Sequence, residues 1–146
     1  LNPDTEILPL IGSKEGIMHI CMTYLDKGDE VLVPNPGYPT YQSAVKLAGG
    51  KCVEYKLSKK NNYEPDFDKL EKKKLKKVKL MFVNYPQMPT GQLPSIELFK
   101  KLVAFGKENN ILIIHDNPYS FILNENPASL IWRAGEWECC AERKNE

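Results

Sequence analysis

Short runs of aliphatic and β-branched residues alternate along this chain with longer stretches of helical periodicity, and turn formers close most of the runs. Glu30 to Val33, Lys51 to Leu57, Lys79 to Val83 and Ile111 to His115 read as strands, several of them apolar enough for burial on both faces. Between them, Ser13 to Asp26 carries Ile17, Cys21, Tyr24 and Leu25 on one helical face. Tyr38 to Ala48 does the same with Tyr41, Val45 and Ala48, and Gly49-Gly50 supplies a left-handed stop. Asp66 to Leu75 offers Phe67, Leu70 and Leu75, and Ser95 is a natural N-cap for a helix reaching about Asn109, with Glu97 in its first turn. Strands that alternate with helices and bury both faces predict an α/β chain, a three-layer α/β/α arrangement around a mostly parallel sheet. Pro34, which lacks a ladder donor, is expected to end the first strand.

Length and charge narrow the functions. A chain of 146 residues, 42% of them hydrophobic, suffices for one packed domain. Twenty Lys and Arg against 19 Asp and Glu give a net charge of +1, which offers no field for steering nucleic acid or an acidic membrane, so neither is an expected partner. The lysine-rich run from Lys69 to Lys79 reads as a solvated face, lacking the interleaved aromatics of a nucleic-acid patch. No apolar stretch is long enough to cross a bilayer, and Leu1 to Glu6 lacks the pattern of a secretory signal, so the chain reads as truncated at its front. Cys21, Cys52, Cys139 and Cys140 show no metal-binding spacing and are expected to be reduced thiols of a cytoplasmic protein; no metal site is expected.

In an open α/β sheet, ligands collect beyond the carboxyl ends of the strands. Gly12-Ser13-Lys14-Glu15-Gly16 stands at a helix start, where free amides, the helix dipole and the Ser13 hydroxyl suit a phosphate; a plain cap with a solvated Lys14 is the alternative. Tyr38, between a Pro-Gly turn and a helix, can stack on a planar ring or simply pack. Asp116 follows an apolar strand, and a carboxylate emerging there requires a partner. A protonated pyridine nitrogen is such a partner, and Tyr119 stands close enough in sequence to donate to the same ring's phenolic oxygen.

The segments GSKEG, NPGYPTY, NYPQMPTG and HDNPYSF, in this order, resemble the class I/II aminotransferases of the aspartate aminotransferase superfamily, including its diaminopimelate-type branch. The resemblance covers Leu1 to about Leu130 and implies a partial large domain of the fold-type-I, pyridoxal-phosphate-dependent kind. It implies that Gly12, Ser13 and Lys14 surround the phosphate of pyridoxal 5′-phosphate, that Tyr38 stacks on the pyridine, that Asp116 pairs with its nitrogen and that Tyr119 contacts its ring oxygen. The implied reaction is amino-group transfer from an amino acid to a 2-oxo acid, in an enzyme that is a homodimer when complete. A carbon–sulfur lyase or decarboxylase of the same fold, and a non-catalytic aminotransferase-like interaction module, are the competing readings.

Two departures stand out. Met88 occupies the place of the family asparagine that donates to the ring oxygen, so either Gln87 reaches inward instead or Tyr119 acts alone. The Schiff-base lysine of the family falls at or beyond Glu146, and Lys144 lies in a polar tail unlike the family segment, so no catalytic residue is nominated and the chain alone is expected to be inactive. Residues 1–130 are read as the partial cofactor-binding domain, and residues 131–146 as an atypical tail, either outside the native reading frame or a natural divergent helix.

Overall fold

The structure, a computed structural model, describes residues 2–120 and 122. The tail from 131 to 146, with Lys144, Cys139 and Cys140, lies outside the described residues. Helix α1 (Ser13–Tyr24), strand β1 (Glu30–Asn35), helix α2 (Pro39–Leu47), strand β2 (Lys51–Lys56), helix α3 (Phe67–Glu71), strand β3 (Val78–Asn84), helix α4 (Ile96–Asn109) and strand β4 (Leu112–Asp116) follow one another. The four strands form one parallel sheet in the order β2-β1-β3-β4.

The sheet buries both faces, as its apolar strands require. On one face Val31, Val33, Leu80 and Phe82 pack against Ile17 and Cys21 of α1 and Tyr41, Ala44 and Val45 of α2. On the other, Leu32, Met81 and Val83 pack against Leu98, Phe99, Leu102 and Phe105 of α4 and Leu70 of α3. The alternation of neighbours such as Val31 and Leu32 between the faces is the period-two rule of a pleated strand.

Local chemistry sets the element ends. Ser95 Oγ accepts from Leu98 N at 3.0 Å and caps α4. At the end of α2, Gly50 N donates to Val45 O and Gly49 N to Lys46 O, the paired bonds of a Schellman motif, with Gly49 at φ +83°. Four sequence expectations need correction. β1 runs through Pro34: Asn35 O accepts from Leu57 N, so Pro34, one residue earlier, turns its backbone to the opposite side, where the register with β3 has already ended at Leu32. α3 stops at Glu71 because lysines occupy 73 and 74, where the next apolar contact should stand; Leu75 begins a separate 3-10 turn. Tyr24 is 39% exposed, so α1 buries a narrower stripe than its spacing suggests. β4 extends one residue further, to Asp116.

Because all strands are parallel, Asn35, Lys56, Asn84 and Asp116 end at the same edge. The chain leaves β1 toward β2 through α2 on one face and leaves β3 toward β4 through α4 on the other. The gap between β1 and β3 is therefore a topological switch point, where diverging loops open a crevice beyond the sheet.

Candidate functional site

Asp116 is the last residue of β4, in register with Asn84 of β3. It is half-buried, and its Oδ2 accepts a hydrogen bond of 2.7 Å from the Tyr41 phenol of α2. Asn84 is buried and spends its amide twice: Nδ2 donates to Asp116 O at 2.8 Å, and Oδ1 accepts from Met88 N at 2.8 Å. The main chain of Asp116 and its carboxylate are thus held by separate groups. Among the described residues no Lys or Arg pairs with this carboxylate; the ion pair found joins Lys69 to Asp66, elsewhere on the surface.

Tyr38 is the N-cap residue of α2, and its ring meets Tyr41 edge to face, with centroids 5.7 Å apart at 86°. Its phenol is held below the ordinary tyrosine value, first by Thr40 and then by Lys14. Asp116 acts on the same phenol in the opposite direction. Lys14, Tyr38 and Asp116, separated in sequence, are therefore neighbours at the sheet edge.

The action of Lys14 on the Tyr38 phenol puts the start of α1 beside this edge. Gly12 is its extended N-cap, and no side chain caps the helix, so Ser13 is its first residue rather than its cap. Glu15 turns back to accept from Ile11 N at 2.9 Å, away from the first helical amides. The helix start keeps exposed Gly12, Ser13 and Lys14 open to an anion. A Cβ on Gly12 would meet nothing within 4 Å, so no packing demand fixes glycine there.

The loop after β3 shows what the side chains at positions 87 and 88 bond to. Gln87 is buried, with Nε2 donating to Pro36 O at 3.1 Å and Met88 O at 2.6 Å, while Oε1 accepts from Thr90 N and Thr90 Oγ1. Its amide is fully occupied in shaping the loop and does not reach inward. Met88 faces Tyr119, whose phenol donates to Met88 Sδ at 3.2 Å. Tyr119 is 37% exposed, stands after β4 and acts electrostatically on the Tyr41 phenol, as Tyr38 does.

His115, beside Asp116, points to the opposite face: its Nε2 lies 2.9 Å from Tyr85 O and its ring 5.0 Å from that of Phe99. Burial holds its pKa below the ordinary histidine value. Cys21 is buried, its thiol pushed up to about 11 by burial first and Cys52 second, which makes it an inert core group. Two hollows open on the surface. One of about 340 Å³ has Tyr38, Pro36 and Gln42 in its wall; the larger, about 640 Å³, lies between α3 and α4, remote from Asp116. Asp116 is in the wall of neither. Among the described residues no helix is long and apolar enough to cross a membrane, and no cluster suits a metal.

Sequence reasoning did not find Tyr41 and Asn84 as site residues. Tyr41 was legible only as a core position, although a buried phenol always needs a partner. Asn84 was visible as a polar residue closing an apolar strand, the same signal that marks Asp116.

The family model for aminotransferase class I and II matches residues 1–137. An LL-diaminopimelate aminotransferase of Dehalococcoides mccartyi is 47% identical over 122 residues, covering 84% of this chain and 31% of the relative. One from Aquifex aeolicus is 41% identical over 144 residues, covering 97% of this chain and 37% of the relative. The substrate-bound structure of BacF from Bacillus subtilis superposes with a TM-score of 0.86 at 39% identity, covering 91% of this chain and 34% of that one. The chain thus spans about a third of the length of these relatives.

Proposed function

Since the chain belongs to the class I and II aminotransferases, we propose that it forms the cofactor-holding part of an enzyme that uses pyridoxal 5′-phosphate to move an amino group from an amino acid to a 2-oxo acid. The observation that carries the reading is the Asp116 carboxylate at the carboxyl end of β4, beside the switch point, fixed by one phenol and left without a cation among the described residues. A half-buried carboxylate of this kind asks for a positive partner. A protonated pyridine nitrogen meets that demand, and the neighbouring groups suit the rest of the molecule.

When bound, the cofactor supplies a cationic ring that withdraws electrons from the carbon bearing the amino group. Asp116 holds the proton on the ring nitrogen, Tyr38 offers its ring as a stacking wall, and Tyr119 offers a phenol toward the ring oxygen. Gly12, Ser13 and Lys14 offer amides, a hydroxyl and an ammonium to the phosphate. Gln87 contributes no donor of its own, so the ring oxygen depends on Tyr119, which Met88 shares through its sulfur. These residues supply holding groups for the cofactor.

The relatives named for LL-diaminopimelate make a dicarboxylic amino acid the first donor to test. A homodimer completes the reading, supported by exposed Ile7, Leu8 and Ile11 ahead of α1, as does a cytoplasmic location, supported by the free thiols Cys21 and Cys52. The test is titration of the purified chain with pyridoxal phosphate, followed by fluorescence. Saturable binding that Asp116→Asn weakens by about tenfold, the effect of one charge-assisted contact, is expected. Equal affinity in the two proteins overturns the reading. Release of ammonia with the keto acid by the complete enzyme would favour the lyase alternative.

A further inference from the structure

Asp116 is held at two points, and the two are chemically different. Asn84 bonds only its main chain, which any strand-end residue could offer. Tyr41 bonds only its carboxylate, and does so from a position that cannot drift. The Tyr41 ring is 1% exposed, stacked on Phe82 at 4.8 Å and 7°, and set edge-on against Tyr38. Burial first, and the bond to Asp116 second, push the phenol far above the ordinary tyrosine value, so it stays a donor at any physiological pH.

We infer that Tyr41 is the positioning residue for Asp116: its phenol fixes carboxylate Oδ2 and leaves Oδ1 to be offered to a cationic ring nitrogen beside Tyr38. The inference rests on the reading given under Proposed function and adds a residue to it. A phenol suits the task because it donates one bond, adds no charge and leaves the carboxylate anionic. A lysine in the same place would neutralise the carboxylate and remove its demand for a cation. The edge-on contact also links the carboxylate to the stacking wall, since one helix carries both Tyr38 and Tyr41.

Tyr41→Phe keeps the ring and its stacking and deletes only the donor. In pyridoxal phosphate titrations of wild type, Tyr41→Phe, Asp116→Asn and the double variant, Tyr41→Phe is expected to weaken binding about tenfold, the scale of one hydrogen bond to a charged group. The double variant is expected to bind no more weakly than Asp116→Asn, because the phenol then has no carboxylate to orient. A merely structural Tyr41 would weaken both backgrounds equally, and that result, or unchanged affinity in Tyr41→Phe, overturns the inference. A second measurement needs no cofactor: the carboxyl-carbon NMR resonance of Asp116 should move in Tyr41→Phe. If wild type binds no pyridoxal phosphate, the functional reading fails, while the NMR result still decides the contact: an unmoved resonance overturns it. Should Tyr41→Phe not fold, the Tyr41 Cζ resonance in Asp116→Ala reads the same bond from its other end.

Discussion

The two faces of the sheet use buried tyrosines in different ways. Under α3 and α4, Tyr55 donates to Phe82 O and Tyr85 to Tyr63 O, both at 2.7 Å, so each phenol ends on the main chain. Under α1 and α2, Tyr41 ends on the carboxylate of Asp116. The first face closes its buried phenols on main-chain carbonyls. The second carries its one buried phenol to the sheet edge and leaves a charged group with capacity to spare. The same amino acid thus serves cohesion on one side and readiness for a partner on the other, and what differs is the acceptor.

Four substitutions sharpen or break this contrast. Phe99→Ala empties a fully buried site on the cohesive face and is expected to cost roughly 3–5 kcal/mol in urea unfolding. A cost near that of a surface change would mean that this face is not the structural one. Tyr55→Phe leaves a buried carbonyl short of a donor and should cost roughly 1–3 kcal/mol. Its affinity for pyridoxal phosphate, compared under conditions where both chains are folded, should match wild type, unlike that of Tyr41→Phe. Ser95→Ala removes the α4 cap at a cost of about 1 kcal/mol, read as a lower denaturation midpoint with cofactor affinity intact.

The smallest effect concerns pH. Burial lowers the pKa of His115 in the fold from the ordinary 6.5, so below that value the unfolded chain binds more protons. Its contribution to stability is complete above about pH 6.5 and is lost as pH falls toward the lower value of the folded chain. Unfolding midpoints measured from pH 7.5 downward should decline, and His115→Gln should flatten the decline. A matching change in cofactor affinity would tie His115 to the other face and weaken the contrast.

The fold was largely legible because its signals are local. The Gly49-Gly50 stop, the Ser95 cap and the apolar runs act over a few residues, and each appears where the sequence puts it. The family assignment agrees with the fold. What the sequence hid is long-range. Whether Pro34 breaks a strand depends on which neighbour its backbone faces, and that is decided by Leu57 on one side and the early end of β3 pairing on the other. The bond from Tyr41 to Asp116 joins residues 75 apart, and no periodicity encodes it. Gln87 looked like a substitute donor because its type is right, yet Pro36 O and Thr90 claim its amide.

That claimed amide bears on how the site can vary among sequences. Gln87 ties the loop after β3 to Pro36 in the loop after β1, and Asn84 anchors the same loop through Met88 N, a main-chain group that any non-proline residue provides. The loop's shape is therefore insured by its neighbours, and the side chain at 88 is excused from holding it. Position 88 can drift between a thioether and an amide while the scaffold stays put, which makes it a dial on whatever shares the Tyr119 phenol.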